Sequence, residues 1–154
     1  RLLGEGARKM VYGQAIDMAA PEHFPKEEAA LEELHRHKTG ALLRAAVLLG
    51  ARVAGLRSGE ARYQALDTYA QALGLAFQVA DDILDCTADS ATLGKTAGKD
   101  FEQGKLTYVA LLGLDGARAK AKALEAQACE ALEEFGEAAE TLRALAHYVV
   151  NREA

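Results

Sequence analysis

Apolar side chains recur along this chain every three to four residues, the spacing of one face of an α-helix, and no segment stands out with the period-two alternation of a half-buried strand. The pattern predicts a first helix from about Leu3 to Ala19, stopped before Pro21, and a turn through Pro25. A second helix opens at Glu27, carries Leu31, Leu34, Leu42, Ala45 and Leu49 along one side and ends around Gly50, with a short apolar helix following to Leu56. Arg57-Ser58-Gly59 is a break, and a long third helix is expected from Ala61 to Asp85. Cys86 to Gly104 is polar and glycine-spaced, the composition of a loop longer than a simple connector needs. Helices over 106–112, 116–135 and 137–150 complete the reading, the last two as an antiparallel pair turning at Phe135-Gly136.

Composition agrees with an all-α architecture. Half of the 154 residues are apolar, there are two prolines, and one core of ordinary size accounts for the length, so one domain is expected. A formal net charge of -5 excludes a general nucleic-acid binder, which needs clustered Lys and Arg. The chain holds neither a signal-peptide pattern nor the ~20-residue apolar run of a membrane span, so a cytoplasmic location is the expectation. Cys86 and Cys129 are far apart and lack metal-ligand spacing, which reads as unlinked thiols. Arg1 is followed at once by helix-like sequence without a cap, the start expected of a fragment.

The run Phe77-Gln78-Val79-Ala80-Asp81-Asp82-Ile83-Leu84-Asp85 changes the picture from fold to chemistry. On a helical wheel Gly74, Gln78, Asp81 and Asp85 fall in one sector, with Gln71 and Asp82 on its shoulder and apolar residues around the remainder. Like charges four residues apart repel by roughly 0.2–0.5 kcal/mol on a solvated helix, and burial raises that cost. A divalent cation answers both, and oxygen-only ligands point to Mg²⁺.

Lys38 stands in the middle of the inward stripe of the second helix, with Thr39 beside it. Its ammonium either meets an anion or snorkels to water over its own stem. Gln14 and Asp17 share a face of the first helix; His35 and His37 read as ordinary, partly exposed histidines, since nothing completes a zinc set. Gly94-Lys95, Gly98-Lys99 and Gly104-Lys105 bring flexible backbone and ammonium groups together without the spacing of a P-loop. Acids that hold a metal and lysines that hold an oligophosphate serve departure of a diphosphate from an apolar chain, with uncharged dipoles such as Thr39 and Gln78 facing the carbocation.

These residues resemble the trans-prenyltransferases, specifically short-chain isoprenyl diphosphate synthases of the bacterial farnesyl diphosphate synthase type. Phe77-Gln78 with Asp81-Asp82-Ile83-Leu84-Asp85 is similar to that family's second aspartate-rich motif; Gly13-Gln14 with Asp17, Lys38-Thr39, and the loop from Gly94-Lys95 to Lys105 stand in the family's order. The resemblance implies an isoprenoid-synthase helix bundle, of which residues 1–154 are the C-terminal helices. The N-terminal half would be absent, and with it the first aspartate motif, most of the isopentenyl diphosphate site and the residues that set product length. It further implies Asp81 and Asp85, with Asp82 in or beside the first shell, as Mg²⁺ ligands. Lys38, Lys95 and Lys105 would contact an allylic diphosphate, dimethylallyl or geranyl, while Thr39 and Gln78 face its ionising carbon and Gln14 and Asp17 stand behind. Condensation with isopentenyl diphosphate to geranyl or farnesyl diphosphate, and a homodimer, are the implied activity and assembly. A longer-chain polyprenyl diphosphate synthase is the alternative within the class; a non-catalytic helical partner that binds a diphosphate or regulates a synthase is the alternative outside it.

Overall fold

A computed structural model describes residues 1–19, 27–93 and 106–152. Among them every element is helical: α1 (Leu2–Ala19), α2 (Glu28–His35), a π-helical turn (Arg36–Gly40), α3 (Ala41–Val53), α4 (Ala61–Leu93), α5 (Tyr108–Ala131), 3₁₀ turns over Glu133–Ala139, and α6 (Glu140–Asn151). At 33 residues α4 is roughly 50 Å long and forms the axis of the molecule. It packs most extensively along α5, and also meets α3, the π turn and α6.

Two apolar clusters explain that central position. One joins Leu48 of α3, Tyr69, Ala72 and Leu73 of α4, Ala128 of α5 and Val149 of α6. The other joins Leu31 and Leu34 of α2, Leu75, Ala76 and Val79 of α4, and Tyr108, Ala117 and Leu124 of α5. The Tyr69 hydroxyl donates to the Leu142 carbonyl at 2.9 Å, tying α4 to α6. Lys122 to Asn151 and Glu125 to His147 are polar contacts at one end of the α5–α6 pair, and Arg143 to the Leu132 carbonyl at the other, so the two run antiparallel as expected.

Two boundaries and one inward position differ from the sequence reading. Gly50 does not end a helix: α3 continues to Val53 and closes on Gly55 (φ +88°), whose N–H donates to the Arg52 carbonyl while Leu56 N–H donates to that of Ala51, a Schellman arrangement. The third helix does not stop at Asp85 but runs to Leu93, since 86–93 contain neither Gly nor Pro, and the Thr87 hydroxyl bonds back to the carbonyls of Ile83 and Leu84 within the turn. Of the expected inward stripe Leu31-Leu34-Leu42-Ala45-Leu49, Leu31, Leu34 and Ala45 are buried and Leu42 is half-buried. At its far end Leu48 is 1% exposed and Leu49 37%, so α3 turns Ala41, Ala45 and Leu48 inward. The glycine breaks nearer the C-terminus lie where expected, at Gly113 (φ +72°) and Gly136 (φ +55°).

Candidate active site

The π turn is held between two glycines. A Cβ on Gly13 of α1 would lie 2.4 Å from the backbone nitrogen of Lys38 and 2.7 Å from its Cα, and a Cβ on Gly74 of α4 would lie 3.0 Å from Gly40 Cα. Only backbone approaching backbone fits there. One helical turn beyond each glycine stands a polar partner: Asp17 accepts from Lys38 Nζ at 2.5 Å, and Gln78 Oε1 accepts from the Thr39 hydroxyl at 2.6 Å. Successive residues of the turn thus address opposite helices. Both readings of Lys38 left open by the sequence are answered by Asp17, a part-buried carboxylate. The neighbouring His37 ring meets Tyr12 edge-on at 5.5 Å. Gln14 is exposed on α1 and stands apart from this ion pair.

Continuing along α4, the three acids of the stripe have different surroundings. Asp81 is ion-paired with Arg152, the residue after α6, whose guanidinium also lies over the Phe77 ring at 4.5 Å. Asp82 is 8% exposed and its Oδ2 accepts from the backbone N–H of Tyr108 at 2.7 Å. It therefore satisfies a free donor at the start of α5, which Thr107 caps from the other side by accepting from Ala110 N–H at 3.1 Å. Burial, then the charges of Glu32, Glu28 and Asp82, push the Tyr108 phenol above its ordinary range. Asp85 is exposed. His35, expected at the surface, is instead buried and stacks on Tyr108 at 5.8 Å, because α2 packs its last turn against α5.

Among the described residues no three His, Cys, Asp or Glu side chains are arranged to enclose a metal ion. Mg²⁺ does not require such a set: it keeps several waters and takes one or two carboxylates together with substrate phosphates. Asp81 and Asp85, one turn apart on one face of α4, offer an oxygen-only pair of that kind, so the donor chemistry fits. Lys95 and Lys105 lie outside the described residues. A cleft of about 360 Å³ between α1, the π turn, α3 and α4 is lined by Gly6, Lys9, Arg36, Arg44, Gln71 and Leu75 among others, and by none of Lys38, Thr39, Gln78 or the three acids.

Arg152 and the Tyr108 amide are partners of the acid stripe that the sequence did not disclose. Each is distant in the chain from the acid it meets, although Thr107 before an apolar run carries an ordinary helix-start signal.

The profile of the polyprenyl synthetase family matches residues 1–147. The chain belongs to that family. It is 50% identical to farnesyl diphosphate synthase of Escherichia coli over 151 residues, which are 96% of this chain and 50% of that protein. Among solved structures, polyprenyl synthase of Caulobacter crescentus complexed with calcium and isoprenyl diphosphate superposes with a TM-score of 0.83 at 28% identity, over 99% of this chain and 58% of the other. Geranyltransferase of Helicobacter pylori complexed with magnesium and isoprenyl diphosphate superposes with a TM-score of 0.69 at 32% identity, over 92% and 46%. The chain spans about half the length of the curated relatives it matches. The resemblance read from the aspartate and lysine motifs and the all-α expectation are thus borne out, and among the described residues no helix is long and apolar enough to cross a membrane.

Proposed function

We propose that this polyprenyl synthetase chain is the C-terminal half of a Mg²⁺-dependent prenyltransferase that condenses isopentenyl diphosphate with dimethylallyl or geranyl diphosphate to give geranyl or farnesyl diphosphate. The observation that carries this reading is the close approach of two glycines to the π turn, which seats Lys38 and Thr39 beside Asp17 and Gln78, the latter on the helix that bears the acid stripe. In the reaction the allylic C–O bond breaks and its electron pair leaves with the diphosphate. Lys38 receives that charge, with Lys95 and Lys105 from the sequence that follows α4. Mg²⁺ at Asp81 and Asp85 would supply further charge neutralisation. Thr39 and Gln78 turn uncharged dipoles to the allylic cation, offering no nucleophile to trap it. The isopentenyl double bond then forms the new C–C bond, and the proton lost passes to the released diphosphate.

The half-domain reading is supported by α1. Its only buried residues are Gly6 and Gly13, while Leu3, Val11 and Met18 are exposed along one side, a surface that further helices or a second copy in a homodimer would cover. Free thiols at Cys86 and Cys129 accord with a cytoplasmic setting. The test compares this chain with the full-length protein in an isopentenyl and allylic diphosphate assay with product analysis. Turnover by the full-length protein alone, dependent on Mg²⁺, is expected. Equal turnover by both would overturn the half-site reading, and none by either would favour a non-catalytic partner; products beyond C15 would assign the longer-chain class.

A further inference from the structure

We propose that Arg152 is a resident counter-cation of the acid stripe, holding Asp81 until a divalent cation takes that carboxylate, so that metal loading releases the chain after α6 from α4. The inference rests on the metal reading of Asp81 given above. Phe77 and Asp81 are four residues apart and form a two-part socket on α4, an aromatic face beside a carboxylate. The Arg152 guanidinium fills both parts at once, by cation–π contact and ion pair. Its reach is set by α6, which is anchored on α4 by Val149 and ends at Asn151; Arg152 itself leaves the helical conformation (φ −63°, ψ 142°).

Two features make this seat exchangeable. Arg152 Nε is buried with no hydrogen-bond partner, so the guanidinium is incompletely satisfied where it sits. A divalent cation on Asp81 would also place like charges within a few ångströms of each other in a part-buried site, where their repulsion is poorly screened. The two occupancies therefore oppose one another. Because linkage is reciprocal, Arg152 weakens metal binding by the same factor by which metal weakens the hold of Arg152.

The test measures Mn²⁺ affinity of the chain by electron paramagnetic resonance, with amide hydrogen exchange over 146–152 read with and without Mg²⁺. Arg152→Gln is expected to tighten Mn²⁺ binding by about tenfold, Arg152→Lys to stay near wild type, and the exposed Arg57→Gln, which changes net charge equally, to leave affinity unaltered. Mg²⁺ should speed exchange at the end of α6 in the wild type and have no further effect in Arg152→Gln. Equal or weaker Mn²⁺ binding by Arg152→Gln, or equal tightening by Arg57→Gln, would overturn the proposal while leaving the metal site standing. Absence of Mn²⁺ binding from every variant would overturn both.

Discussion

Asp82 and Asp85 share a motif but not an environment, and the difference separates structural from chemical loss. Removing the Asp82 carboxylate leaves the Tyr108 N–H without its acceptor in a buried place, so Asp82→Ala is expected to destabilise the chain by about 2 kcal/mol. Asp85→Ala, at an exposed position, should change stability by less than about 0.5 kcal/mol and reduce divalent-cation affinity. Urea unfolding beside Mn²⁺ titration distinguishes the two. Tyr69 gives a second measurement at this scale. Burial, then the nearby Cys129, push its phenol up to about 12 from an ordinary 10. The fold thus favours the neutral form, and between those values the unfolded chain binds fewer protons. That contribution is complete below about pH 10 and is lost as pH rises toward 12. Tyr69→Phe should start less stable by about 1 kcal/mol, without the bond to Leu142, yet show a shallower decline in urea midpoint above pH 10.

At the scale of elements, the π turn fixes what the site can do, since it sends Lys38 and Thr39 to different helices. Gly13 is the residue that makes room for it. Gly13→Ala drives a methyl group into backbone atoms that cannot rotate away, and a cost of about 3 kcal/mol is expected, together with rupture of the Lys38–Asp17 ion pair. Gly50→Ala, at an open helical position of α3, should instead stabilise by roughly 0.5–1 kcal/mol; thermal melts of the pair test the contrast. The same turn marks the limit of sequence reading. Helix positions follow from periodicity and from the breaks at Gly113 and Gly136, and the stripe of Gln78, Asp81 and Asp85 follows from the wheel. A π turn is a one-residue slip in backbone hydrogen bonding without a composition of its own, so periodicity gives no sign of it; periodicity also puts Leu49 in the core where the fold puts Leu48. Asp82 with Tyr108 and Asp81 with Arg152 span 26 and 71 residues, beyond any local pattern.

For the whole molecule, the decisive surface is the outer side of α1. A helix that buries only two glycines has used its smallest residues to approach α3 and the π turn, leaving Leu3, Val11 and Met18 in water. In the half-domain reading those side chains contribute nothing to the stability of this chain alone and much to its union with the missing helices. Val11→Glu combined with Met18→Glu should therefore shift the melting temperature of the 154-residue chain very little, since exposed substitutions stay within about 0.5 kcal/mol. In the full-length protein the same pair would bury two unpaired carboxylates, and a loss of several kcal/mol with loss of diphosphate-dependent turnover is expected. Calorimetric scans of both lengths read the difference. Equal, small shifts in the two proteins would mean that α1 faces solvent in the complete molecule, and the acids opposing Asp81 and Asp85 would then have to approach from the side of Lys38 and Gln78 without covering α1.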